Sequence, residues 1–136
     1  MIYIFDACAL IALFKQEQGE DKIKALLDEA LTEKSVIYMN IVNLIEVHYG
    51  FYRELGQEKS DLILEQIYTM PIQFINTINT DVFSEAVRLK AVYKCSLADA
   101  IGIATAIEFS GTFVTADHHE LETVASKERL NFFWFR

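Results

Sequence analysis

Short β-branched and aromatic runs alternate along this chain with longer stretches whose apolar residues recur at helical spacing, and few folds accommodate that alternation. Ile2 to Phe5 reads as a buried strand that runs into a helix, Ala7 to Phe14, at Asp6. Glu20 to Leu31 is an amphipathic helix with Ile23, Leu26, Leu27 and Ala30 on its apolar face. Ser35 to Met39 returns to strand character, and Asn40 caps a helix passing through Glu46 and Tyr49 towards Gly56. A further helix, Gln57 to Thr69, is broken by Pro71, and Ile72 to Ile75 follows as a strand. From about Thr80 to Tyr93 the periodicity predicts a helix with Val82, Phe83, Ala86, Val87 and Leu89 towards the core. Ser96 caps the next helix, Leu97 to Phe109, which stops at Gly111. Thr112 to Thr115 is a strand, Asp117 opens a short helix, and Phe132 to Phe135 closes as a final strand. The βαβα order predicts an α/β sandwich: a central, mainly parallel sheet between helix layers, joined by right-handed crossovers. Ligands of such sheets lie beyond the carboxyl ends of the strands, where Asp6 and Asp117 are expected.

With 136 residues, 52% of them hydrophobic, one proline and no repeat or Ser/Gly-rich stretch, the chain reads as a single domain spanning residues 1–136. Met1 to Phe14 is apolar, yet it lacks a basic leading segment and carries Asp6 at its centre, so it is neither a signal peptide nor a membrane span. No later run stays apolar for the roughly 20 residues a transmembrane helix needs, which predicts a soluble, cytoplasmic protein without a membrane partner. Cys8 and Cys95 lack CxxC spacing and are expected to be reduced, mostly buried thiols. The Phe132-Phe133-Trp134-Phe135 end is expected to be a buried edge strand more than a contact surface.

Chemistry enters with the acids set in apolar surroundings, because a carboxylate removed from water without compensation costs several kcal/mol. Asp6 is the only charged residue between Met1 and Phe14, and Asp99 the only one from Leu97 through Ile107. Glu46 projects from a helix stripe shared with Val42 and Tyr49. Each Asp has a purely structural alternative: Asp6 and Asp117 can cap the helices they precede, and Asp99 can complete a Ser96-x-x-Asp99 capping box. Glu46, in mid-helix, has none. Like charges gathered in one pocket raise each other's pKa unless a cation binds among them. An all-oxygen ligand set suits Mg2+ or Mn2+, and no histidine or cysteine pattern argues for zinc. His118 and His119 beside Asp117, and His48 near Glu46, are read as structural or surface residues.

Four segments now carry a resemblance: Ile4-Phe5-Asp6-Ala7-Cys8-Ala9-Leu10-Ile11-Ala12-Leu13, Asn43-Leu44-Ile45-Glu46-Val47-His48-Tyr49-Gly50, Ser96-Leu97-Ala98-Asp99-Ala100-Ile101 and Val114-Thr115-Ala116-Asp117. In this order and spacing they resemble a PIN domain, specifically the small VapC-type toxins of toxin-antitoxin pairs, over nearly the whole chain. The resemblance implies a PIN-like three-layer sandwich in which Asp6, Glu46, Asp99 and Asp117 hold one or two Mg2+ or Mn2+ ions, and Thr115 orients a water or ligand. It implies endonucleolytic hydrolysis of RNA without a covalent protein intermediate, a homodimer, and a cognate antitoxin whose tail occludes the acidic pocket. The chain departs from the pattern where many relatives carry Ser or Thr shortly after the first Asp, since Ala7 and Cys8 stand there. Glu120 falls where many relatives carry another acid.

A net charge of −8 is unusual for a protein that must approach phosphates. A bound cation neutralises clustered carboxylates locally, and a basic antitoxin tail complements the remainder. Lys15, Arg53, Arg88 and Lys94 are the basic residues to examine along an RNA path. Two rival readings stand beside the nuclease. One is a PIN-like binding or regulatory module without turnover; retention of all four acids argues against it. The other is a phosphotransferase or phosphatase using Asp6 as nucleophile. It lacks both a second acid two residues on and any GxGxxG or GxxxxGK[ST] loop.

Overall fold

The computed structural model describes residues 1–136. Strands β1 (Ile2–Phe5), β2 (Val36–Asn40), β3 (Ile72–Ile75), β4 (Thr112–Thr115) and β5 (Asn131–Trp134) form one sheet in the order β3-β2-β1-β4-β5. Every neighbouring pair is parallel, which is stricter than the mainly parallel sheet expected. Seven helices connect them: α1 (Ala7–Lys15), α2 (Glu20–Leu31), α3 (Ile41–Leu55), α4 (Gln57–Tyr68), α5 (Thr80–Val92), α6 (Leu97–Glu108) and α7 (His118–Lys127). β2 and β5 each sit one residue away from their sequence-predicted bounds, within the usual scatter of element ends.

Period-two alternation along the central strands divides the interior into two cores. Tyr3 and Phe5 of β1, with Val114 of β4, face α1 to α4, where Leu10, Ile23, Leu44, Val47, Phe51 and Ile67 pack against them. Ile4 and Phe113 point to the opposite face, into a core built by α5, α6 and α7. The result is the three-layer α/β/α sandwich that the alternation implies. α6 is its most enclosed helix, with every residue from Asp99 to Ala106 buried. Gly102 permits that closeness: a Cβ there would lie 2.9 Å from the Phe113 ring and 3.1 Å from Asn43 Oδ1.

One expectation fails on α5. Val82, Ala86 and Leu89 are buried as predicted, but Phe83 and Val87 are 62% and 56% exposed. α6 is the only element that α5 packs on extensively. A helix with one neighbour buries a single i, i+4, i+7 stripe, and Phe83 and Val87, each one residue further round, face away from it. The carboxyl-terminal aromatics do form an edge strand. Phe135 is buried, while Phe132, Phe133 and Trp134 are half-buried. Phe132 packs edge-on to Phe113, and Phe133 edge-on to Tyr3. Both cysteines are free thiols, Cys95 buried and Cys8 half-buried. No helix is long and apolar enough to cross a membrane.

The strand order reverses between β1 and β4, since β1 continues towards β2 on one side and β4 towards β5 on the other. Such a switch point opens a crevice at the carboxyl ends of the two strands. Asp6 directly follows β1, and Asp117 lies two residues beyond β4.

Candidate active site

Asp6 is 3% exposed and enters the crevice at the β1 to α1 turn, where its backbone N–H donates to the Val114 carbonyl of β4. Both carboxylate oxygens are engaged. Oδ1 accepts the Ala7 N–H at 2.7 Å, while Oδ2 accepts the Thr115 hydroxyl at 2.8 Å and the Cys8 thiol at 3.2 Å. Thr115 is fully buried, and its oxygen accepts the Asp117 N–H at 3.2 Å. Its hydroxyl thus braces Asp6 against the Asp117 loop and is not turned outward to a ligand.

Asp99 occupies the first turn of α6 and is 6% exposed. Ser96 caps that helix by accepting the Asp99 N–H at 3.0 Å, but the Asp99 carboxylate makes no return bond to the Ser96 backbone. The capping box is half-built, which leaves the carboxylate uncommitted. Asp117 caps α7, with Oδ1 accepting the Glu120 N–H at 3.3 Å, and so places Glu120 one turn along. Capping does not bar Asp6 or Asp117 from a further role, because a carboxylate that takes one backbone N–H still has lone pairs to offer. Glu46 stands half-buried on α3 without a hydrogen-bonded or ionic partner.

Asp99, Asp117 and Glu120 each present an oxygen within 4.8 Å of the others. Asp6 and Glu46 lie outside that tight trio but within its electrostatic reach. Burial chiefly, then the Asp6 charge, with smaller contributions from Glu46 and Asp117, pushes the Asp99 carboxyl from its ordinary 3.8 up to about 7. Burial also raises Glu46, and the charges of Asp6 and Asp117 add to it. Asp6 is raised by burial and by Asp117, against the lowering effect of its three hydrogen bonds. None of the salt bridges in the structure reaches any of these five acids. Carboxylates crowded together and left without cationic side chains are expected where an external cation completes the site.

A profile of the PIN domain family matches residues 3–127. The chain belongs to the PIN domain family. Solved structures of similar fold include VapBC from Rickettsia felis bound to a promoter DNA fragment, 18% identical with a TM-score of 0.77 over 98% of each chain. DNA-bound VapBC from Salmonella typhimurium is 12% identical with a TM-score of 0.75, covering 100% of this chain and 99% of its own. A sarcin-ricin loop cleaving VapC toxin of Mycobacterium tuberculosis is 15% identical with a TM-score of 0.63, over 83% of this chain and 87% of its own. At such identities the likeness is one of fold. No curated protein matches the sequence.

Within this PIN domain the sequence reading named four acids and left Glu120 undecided; the tertiary structure joins Glu120 to Asp99 and Asp117. Two amides also matter. Asn40 caps α3 and donates to Thr105 of α6 at 3.3 Å, and Asn43 donates to the Ala98 carbonyl at 3.1 Å. They tie the helix carrying Glu46 to the one carrying Asp99. The signal was present as two amides, one at the helix cap and one in its first turn, in an otherwise apolar stretch.

The basic residues separate clearly. Lys15 pairs with Glu54, and Arg88 is held by Glu85 and Glu128, so both serve the PIN scaffold. Arg53 lies over the Tyr49 ring on α3. Lys94 lines an open cleft of about 660 Å³ together with Ser96 and Glu120, the one of the five acids on its wall. His118 stacks on Trp134 and bonds the Arg136 carbonyl, and His48 bonds Asp61, both in structural roles.

Proposed function

We propose that the chain is a metal-dependent endoribonuclease, the toxin of a type II toxin-antitoxin pair, built as one domain over residues 1–136. The observation that carries this reading is the gathering of Asp99, Asp117 and Glu120, their oxygens within 4.8 Å of one another, in a PIN fold and without a cationic partner. Oxygen donors at this spacing fit a hard divalent cation, Mg2+ or Mn2+. Asp6, Glu46, Asp99 and Asp117 are its proposed ligands, with Glu120 as a further donor. Bound there, the cation would supply an acidified water for attack and positive charge to offset that on the scissile phosphate.

The protein's own contribution is arrangement. Thr115 fixes the Asp6 carboxylate, Asn40 and Asn43 fix the α3 to α6 spacing, and Ser96 leaves the Asp99 carboxylate free. Asp99, with its carboxyl raised to about 7, would hold such a cation in its ionised form. Lys94, at the rim of the cleft, is placed to meet a phosphate of the RNA chain. The phosphotransferase alternative gains nothing here, because the chain still lacks a second acid two residues after Asp6 and any glycine-rich phosphate loop.

RNA as substrate draws support from the fold-related toxin described as cleaving the sarcin-ricin loop. An antitoxin partner draws support from fold-related toxin-antitoxin structures, including a complex from Klebsiella pneumoniae. Two exposed apolar faces, Ile45 with Tyr49 and Tyr52 on α3 and Phe83 with Val87 on α5, provide room for an antitoxin and a second copy of the chain. On this reading the protein works in the cytoplasm, where it meets RNA and antitoxin.

The test compares wild type with Asp99→Asn, purified free of antitoxin, on total cellular RNA with Mg2+, Mn2+ or chelator. The expected result is discrete cuts that need metal and vanish in the variant. A folded, metal-loaded wild type that cuts no RNA would overturn the enzymatic reading in favour of a binding module.

A further inference from the structure

We propose that Cys8 is a positioning residue of the acidic site, its side chain tying the Asp6 carboxylate to the loop that carries Asp117. The inference rests on the metal-centre reading above.

Cys8 lies in the first turn of α1, two residues past Asp6, and meets a segment more than a hundred positions away in sequence. Its Sγ stands 3.2 Å from Asp6 Oδ2 and 3.4 Å from the Ala116 N–H, which donates to it. With the sulfur accepting from Ala116, its own S–H is free to donate to Asp6. The Thr115 hydroxyl reaches the same Asp6 oxygen and accepts the Asp117 N–H. Two parallel links therefore cross the β1 to β4 crevice, Asp6 to Cys8 to Ala116 and Asp6 to Thr115 to Asp117. The Ala7 N–H holds Oδ1, and both links converge on Oδ2. Together they seat that oxygen against the loop carrying Asp117 at two points instead of one.

Groups behind a metal ligand commonly change metal affinity by about 10- to 100-fold when removed, although they never touch the ion. Cys8 is such a group, and its hydrogen-bonding capacity, more than its volume, is what the geometry uses. Valine puts a methyl where the sulfur stands, with a second methyl beside it, and neither donates nor accepts, whereas serine does both from a shorter side chain.

The experiment measures Mn2+ binding by titration calorimetry and by the electron paramagnetic resonance of free Mn2+, for wild type, Cys8→Val and Cys8→Ser. Thermal melts in chelator identify which variants are folded. The expected result is a loss of roughly tenfold or more in Mn2+ affinity for Cys8→Val, largely restored in Cys8→Ser, with wild-type-like melts in chelator. Wild-type affinity in Cys8→Val would reduce Cys8 to packing and overturn the proposal. Equal losses in both variants would assign the sulfur itself to the ion and overturn it as well. A wild type that takes up no Mn2+ would refute the metal centre itself, an outcome distinct from either, and the role of Cys8 would fall with it.

Discussion

Asp99→Asn should make the metal-free protein more stable at alkaline pH while destroying its capacity to hold a cation. In the unfolded chain the carboxyl ionises near its ordinary 3.8, and in the folded chain at about 7. The native state thus binds this proton more tightly than the unfolded state. Its stability falls as pH rises from about 4 to about 7, and levels off above that. A gap of this size corresponds to about 4 kcal/mol. Relaxation of the surroundings about the ionised carboxyl removes part of that penalty, and we expect about 2 kcal/mol. Asparagine carries no charge and keeps the backbone N–H that Ser96 accepts, so it escapes the penalty without disturbing the α6 cap. Urea denaturation in chelator is the assay. The variant should exceed wild type by about 2 kcal/mol at pH 8 and by less than half of that at pH 4. Excess Mn2+ should then stabilise wild type and leave the variant unmoved, since only a ligand of the native state shifts the equilibrium. A variant no more stable than wild type at pH 8, or an advantage that does not change with pH, would refute the reasoning.

Because metal uptake needs ionised ligands, Mn2+ affinity should climb with pH most steeply around 7 and flatten above about 8; calorimetry at pH 6, 7 and 8 reads this, and a flat profile would remove Asp99 from the ligand set. Gly102→Ala should cost about 1–3 kcal/mol in urea denaturation, because its Cβ would meet the Phe113 ring at 2.9 Å. The same change should weaken Mn2+ binding by moving Asp99, one turn away on α6, and unchanged stability would mean that α6 can draw back freely. Phe83→Ser should shift stability by no more than about 0.5 kcal/mol, as expected for an exposed side chain. A larger loss in thermal melts would return Phe83 to a packed environment, and sedimentation of the same variant reports whether the α5 face joins two copies.

Most of the architecture was legible in the sequence because it depends on local periodicity. Strands of β-branched and aromatic residues and amphipathic helices announce themselves over a few residues, and each predicted element is present. α5 shows where local reading ends. Its apolar residues fit a wide helical face, but the width actually buried depends on how many neighbours the helix has, and it has one. The acids behaved alike. Apolar flanks marked Asp6 and Asp99 as unusual, whereas Glu120, on an exposed helix start, had no such flanks: only the resemblance pointed to it, and its distance from Asp99 and Asp117 then joined it to them.

The sequence by itself determined the alternation of strand and helix, the α/β class and the acids whose burial called for compensation, since each is encoded within a few consecutive residues. Only the tertiary structure decided the strand order, and with it the crevice where β1 and β4 part. That order brings Thr115 to Asp6 across 109 positions, Cys8 to Ala116 across 108, and Asn43 to Ala98 across 55. Such contacts follow from which strands pair and how closely the helices settle on them. Those outcomes come from packing the whole chain at once, and no local window of residues contains them.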